Sequence, residues 1–150
     1  MGKPELLLDN QLCFLVYRLD RLISGRYMPM LSKLGLTYPQ YLVMLVLWEQ
    51  REAGIGELCR LLDLDTGTVS TLVKRLEKMG LVSRERGKRD ERSVKVSLTL
   101  AGEELEEKAQ GIPGALAACL LKDHKEYLEL KTKLKDLIGR ISSESCGRFP

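Results

Sequence analysis

The sequence predicts a mainly α-helical chain with one small antiparallel β-hairpin, arranged as a winged helix-turn-helix flanked by N- and C-terminal helices. Three observations predict it. Between residues 56 and 80, two short helical segments meet at the hydroxyl-rich turn Asp65-Thr66-Gly67-Thr68. Alternating apolar residues then form two short strands around a charged, glycine-containing turn. On both sides, apolar residues recur at helical spacing over longer runs.

The elements follow in order. From Leu6 to Ile23, residues Leu8, Leu12, Leu15, Val16, Leu19 and Leu22 repeat at helical spacing. Leu6 and Phe14 widen the stripe, so this helix is expected to pack on two sides. Asp9 is its expected N-cap, and Pro29 is expected to end or kink it. Thr37-Tyr38-Pro39-Gln40 has the form of a capping box with proline in the first turn, which predicts a second helix over about 38–52. Gly54 and Gly56 bracket a connection to a third helix near 57–62. Asp65 or Thr66 caps a fourth helix that ends at Met79-Gly80. Its residues Val69, Leu72, Val73, Leu76 and Met79 share one face, and Ser70, Thr71, Lys74 and Lys78 lie mostly on the other.

Val82 to Arg86 and Val94 to Leu98 supply the hairpin, with its turn at Gly87 to Glu91. Thr99 caps a fifth helix to about Gln110, and Gly111-Ile112-Pro113-Gly114 is expected to break it. In the last helical region Tyr127, Leu130, Leu134, Leu137 and Ile141 make a short heptad seam, read as a dimerisation element. The expected domains are an N-terminal dimerisation region at 1–36, the winged helix-turn-helix at 37–99, and C-terminal dimerisation helices at 100–150.

Composition bounds the function. With 150 residues, 44% hydrophobic and 30% charged, the chain suits one globular domain or two fused lobes. A net charge of +3 points to a polyanion only because the basic residues cluster around 84–95. No apolar run approaches the ~20 residues that cross a bilayer, and the first residues lack the plan of a secretory signal. A cytoplasmic location without membrane contact is therefore expected. Cys13, Cys59, Cys119 and Cys146 form no CxxC pair, and His124 is the sole histidine. No metal site and no cofactor are expected.

The fourth helix suits a DNA major groove. Thr66, Thr68, Ser70 and Thr71 allow close approach, and Lys74 and Arg75 follow for phosphates or a guanine edge. The hairpin adds Arg84, Arg86, Lys88, Arg89 and Arg92, whose tip suits a neighbouring minor groove. Asp90 is expected to brace Arg92 through a charge-assisted hydrogen bond. Against this stands the plain alternative of a solvated hairpin and surface helix.

Leu36-Thr37-Tyr38-Pro39-Gln40-Tyr41, the start Leu64-Asp65-Thr66-Gly67-Thr68, the wing Asp90-Glu91-Arg92 and the entry Leu98-Thr99 together resemble the MarR family of regulators. The resemblance covers nearly the whole chain. It implies a homodimer with intertwined terminal helices, binding a pseudo-palindromic operator in double-stranded DNA through two winged helices.

Cys13 falls near the start of the first helix, where the positive end of the helix dipole favours a thiolate. Tyr17 follows at i+4 on the same face. Fourteen residues of helix span about 21 Å, so Tyr27 cannot reach Cys13 within one straight helix. A free cysteine is often only a small buried hydrophobe. Cys13, Tyr27 and Tyr38 nevertheless look like the sensing trio of the organic-hydroperoxide-responsive (OhrR-like) branch of the family. That resemblance implies that tyrosines of one subunit hydrogen-bond the other's thiolate, and that Cys13 is oxidised to a sulfenic acid and then a disulfide. Cys119 is the candidate resolving residue, with Cys146 or a small thiol as alternatives.

The expected function is a redox-sensing transcriptional repressor, released from its operator when organic hydroperoxides or related oxidants reach Cys13. One alternative is a regulator released by a small phenolic ligand, with Cys13 incidental. A thiol peroxidase is the other, though no proline, threonine and arginine surround Cys13 to activate a peroxide for turnover, so no enzyme is expected.

Overall fold

The computed structural model describes residues 2–87 and 93–143. The expected wing-tip residues Lys88, Arg89, Asp90 and Arg92, and the alternative resolving residue Cys146, lie outside these ranges. The chain forms two compact units, residues 1–110 and residues 111–150.

In the first unit, two single-turn 3-10 helices, Pro4–Leu6 and Leu8–Asn10, precede helix α1, Leu12–Ser32. The expected start near Leu6 with Asp9 as cap is therefore corrected. Leu7 and Gln11 are extended, and the Asn10 and Gln11 side-chain amides donate to the carbonyls of Pro4 and Glu5 at 2.7 and 2.8 Å. These bonds hold the first residues in short turns instead of a continuous helix. Pro29 does not end α1 either. It lies in the last turn, where it removes one backbone donor, and the Ser32 hydroxyl donates to the Met28 carbonyl at 2.8 Å.

Helix α2, Tyr38–Gln50, opens on the capping box. The Thr37 amide donates to Gln40 Oε1 at 2.9 Å, and the Gln40 amide donates to Thr37 Oγ1 at 3.5 Å. Arg51, in the left-handed region at φ 68°, closes it. Strand β1, Glu52–Gly54, follows directly. The sequence pattern did not reveal it, because three residues are too few for alternation to register. Helix α3, Ile55–Leu62, ends at Asp63, and helix α4, Thr66–Lys78, begins under the Asp65 cap.

Strands β2, Val82–Arg86, and β3, Val94–Leu98, pair antiparallel in the register Val82↔Leu98 to Arg86↔Val94. β1 joins the other edge of β3, giving the order β1-β3-β2. Helix α5, Leu100–Ala109, starts at the Thr99 cap. The core lies among α2, α3, α4 and the sheet, where Met44, Leu47, Leu58, Val69, Val73, Leu76 and Val96 are fully buried. Met79, expected on the apolar face, instead caps α4 and is exposed.

Trp48 closes this core. It is buried, and its indole N–H donates to the Gly102 carbonyl at 2.9 Å. Gly102 in turn packs so close to the Leu81 carbonyl that a Cβ there would collide with backbone. The Thr99 amide donates to that same carbonyl, and the Thr99 hydroxyl donates to Gly80. The root of the hairpin is thereby fixed to α5 and α2.

In the second unit, helix α6 spans Gly111–Leu120 and helix α7 spans His124–Ser142. The break expected at residues 111–114 is confined to Gln110. Pro113 is the third residue of α6, inside the first turn, where no intrahelical amide bond is needed. No helix of the described residues is long and apolar enough to cross a membrane.

Candidate functional site

Helix α4 presents its two faces as its period requires. Val69, Leu72, Val73 and Leu76 are buried, while Thr66, Thr68, Thr71, Lys74, Arg75 and Lys78 are exposed and Ser70 is half-buried. Its start is rigid. Asp65 accepts from the Thr68 amide at 2.9 Å and from the Thr68 hydroxyl at 2.6 Å, bonds that hold its carboxyl below the usual range. The Thr71 hydroxyl donates back to the Gly67 carbonyl at 2.9 Å. Thr68 and Thr71 are thus oriented by the helix before any ligand arrives.

The hairpin separates its two described arginines. Arg86 is exposed near the end of β2. Arg84 is engaged: its Nε and Nη2 lie 2.8 and 2.6 Å from Glu77 Oε2, in the last turn of α4. These contacts hold the Glu77 carboxyl below its ordinary range. On the other side of the sheet, Lys95 pairs with Glu52 of β1 at 2.6 Å. Glu77 was not read from the sequence, since its partner lies seven residues away across a turn and only the fold joins them.

Cys13 is the second residue of α1 and is exposed. The N-cap Gln11 makes no side-chain capping bond, leaving that task in the first turn undone. Tyr17 is exposed one turn on, with the Arg21 guanidinium 5.7 Å from its ring centroid. Tyr27 and Tyr38 come together, their ring centroids 4.8 Å apart. Tyr41, missed at first, completes the cluster at 5.9 Å from Tyr27 and 6.4 Å from Tyr38, and its far side meets Trp48 at 6.1 Å. Its place one turn after Tyr38 was the available signal. Burial raises the Tyr38 phenol above its usual 10.0, with the Asp20 carboxylate as a second cause. Burial likewise raises Tyr41. Both phenols are therefore proton donors throughout the neutral range.

Cys13 and Tyr27 share one unbroken helix, so the rise of fourteen residues, about 21 Å, separates them along its axis. Cys119 is exposed in α6, and Cys59 is half-buried with its Sγ 3.9 Å from Thr66 Oγ1. His124 is exposed at the start of α7 and stacks on Tyr127 at 5.9 Å. Among the described residues no group of three or more His, Cys, Asp or Glu is placed to hold a metal ion.

The family model "Transcriptional regulator SarA/Rot" matches residues 26–112. The organic hydroperoxide resistance transcriptional regulator of Bacillus subtilis is 43% identical over 138 residues, covering 92% of this chain and 94% of that protein. Among solved structures, reduced AbfR bound to DNA superposes with a TM-score of 0.80 at 36% identity, covering 94% of this chain and 96% of the other. The reduced form of MarR from E. coli superposes with a TM-score of 0.67 at 25% identity, covering 85% and 96%.

Proposed function

The chain belongs to the MarR family of winged-helix transcriptional regulators, in its organic-hydroperoxide-responsive branch, and from that membership we propose that Cys13 is its peroxide-reactive thiol. The protein is a redox-sensing, DNA-binding transcriptional regulator that works as a homodimer. The exposed threonines, Lys74 and Arg75 of α4 face the operator's major groove, and the hairpin reaches towards the minor groove.

One observation carries the sensing role. Tyr27 meets Tyr38, whose phenol burial keeps protonated, at 4.8 Å, while the cysteine on Tyr27's own helix is about 21 Å away. A second subunit brings the missing partner. Cys13 of one protomer then receives hydrogen bonds from Tyr27 and Tyr38 of the other, and Tyr17 packs beside it. The Cys13 thiolate attacks the distal oxygen of a hydroperoxide: an S–O bond forms, the O–O bond breaks, and the alkoxide leaves and is protonated to an alcohol. The sulfenic acid condenses with a thiol, either Cys119 or a small cytoplasmic thiol, to give a disulfide and water. Loss of the thiolate's hydrogen bonds releases the tyrosine cluster and, through it, the DNA. The reaction is stoichiometric, as suits a repressor and not a peroxidase.

The test is a mobility shift on the DNA upstream of the protein's own gene, with and without cumene hydroperoxide. Cys13→Ser is expected to remain bound at peroxide levels that release the wild type. Release of this variant at the same dose would overturn the role given to Cys13.

A further inference from the structure

We infer that Glu77 and Arg84 form a latch fixing the wing against the DNA-reading helix, so that Arg84 serves DNA binding as a positioning residue and not as a phosphate contact. The inference rests on the DNA-binding part of the function proposed above and deepens it.

Three observations carry it. The first is geometric: one guanidinium places two nitrogens, at 2.8 and 2.6 Å, on a single carboxylate oxygen. This ties the third residue of β2 to the last turn of α4. The second concerns Glu77 itself. A carboxylate in the last turn of a helix opposes the helix dipole, and on a DNA-reading helix it also repels phosphates. Lys74, Arg75 and Lys78 around it are basic and exposed. A facing arginine removes both penalties and leaves Glu77 with a structural task. The third is the connection between the two elements. α4 passes to β2 through Met79, Gly80 and Leu81, with Gly80 in the left-handed region at φ +76°. Backbone bonds from the Gly80 amide to the Glu77 carbonyl and from the Leu81 amide to the Leu76 carbonyl, at 2.9 and 3.1 Å, close the helix and set the direction in which the strand leaves it. The Glu77–Arg84 pair adds a side-chain tie across that turn, three residues into the strand beyond the backbone bonds.

A guanidinium committed to a carboxylate presents little unbalanced charge and displaces few counterions from DNA. A phosphate contact displaces about one. Exposed ion pairs also add little to global stability, so variants of this pair should fold.

The experiment compares reduced wild type, Glu77→Gln, Arg84→Gln, the double variant and the exchanged pair E77R/R84E. Dissociation constants for operator DNA are measured over a range of salt concentrations. A latch predicts that each single variant binds roughly 5- to 10-fold more weakly and that the double variant is no worse than either single. The salt slope of Arg84→Gln stays at the wild-type value, and the exchanged pair recovers most of the affinity. A slope lower by about one in Arg84→Gln, with Glu77→Gln binding as well as wild type or better, would overturn the inference in favour of a phosphate contact. Amide exchange of residues 82–86 is followed in the same proteins without DNA. A latch predicts severalfold faster exchange in each single variant and recovery in the exchanged pair. If wild type does not bind the DNA, the DNA-binding reading falls, and the exchange rates alone judge the latch. Rates unchanged from wild type in both single variants would overturn it.

Discussion

Tyr38 and Tyr41 keep their protons because burial penalises a phenolate, and at Tyr38 the Asp20 carboxylate adds to that penalty. The consequence for stability has a definite sign. In the unfolded chain both phenols ionise near 10.0, while in the folded chain they hold their protons to higher pH. Their contribution is thus fully present below about pH 10 and is lost as pH rises through the folded values. Thermal unfolding from pH 8 to 11 should fall more steeply in wild type than in Tyr38→Phe, which has no proton to lose at that position. Parallel curves would show that the Tyr38 phenol is not raised. At this scale Cys13, Tyr27 and Tyr38 were legible as residues, but the meeting of the two rings was not. They lie eleven positions apart on different helices, and only the packing of α1 on α2 brings them together.

The start of α2 shows how much an element reveals of itself. Thr37-Tyr38-Pro39-Gln40 was readable because a capping box is local, and both of its bonds are present. The two are unequal: the Gln40 side chain accepts at 2.9 Å and is almost wholly buried, whereas the threonine oxygen accepts at 3.5 Å. Removing the glutamine leaves a partly buried amide unsatisfied. Gln40→Ala is therefore expected to cost about 1–2 kcal/mol and Thr37→Ala about 0.5–1 kcal/mol. Urea midpoints of the two variants check the order, and a larger loss in Thr37→Ala would contradict it. Where stabilising bonds are long-range, the sequence says less. β1 is three residues long and exists as a strand only because Glu52, Ala53 and Gly54 find Ser97, Val96 and Lys95. The start of α1 was misplaced for a related reason: side-chain amides six residues from their carbonyl partners override a helical stripe that is otherwise continuous.

At the scale of the whole molecule, the apolar pattern exceeds what one chain buries. Of the 21 residues of α1 only Leu31 is buried, and Leu12, Leu15, Val16, Leu19 and Leu22 stay exposed. In α7 no residue is buried, and Tyr127, Leu130, Leu134 and Ile141 of the expected seam are exposed. Surfaces of this extent on both terminal regions call for a second copy. In the sensor proposed above the dimer also divides the site, with Cys13 of one subunit set against the tyrosines of the other. This division can be read in mixed dimers. Cys13→Ser subunits and Tyr27→Phe/Tyr38→Phe subunits each form homodimers with no intact sensing site. When the two are combined, the surviving Cys13 lies in the tyrosine-deficient subunit and meets Tyr27 and Tyr38 of the Cys13→Ser subunit. One complete site is restored across the interface. Tagged heterodimers should therefore regain peroxide-dependent release from DNA with one thiol oxidised per dimer, while neither parent homodimer does so at the same dose. Heterodimers as unresponsive as both parents would overturn the cross-subunit site, which is proposed because α1 sets Cys13 and Tyr27 of one chain about 21 Å apart.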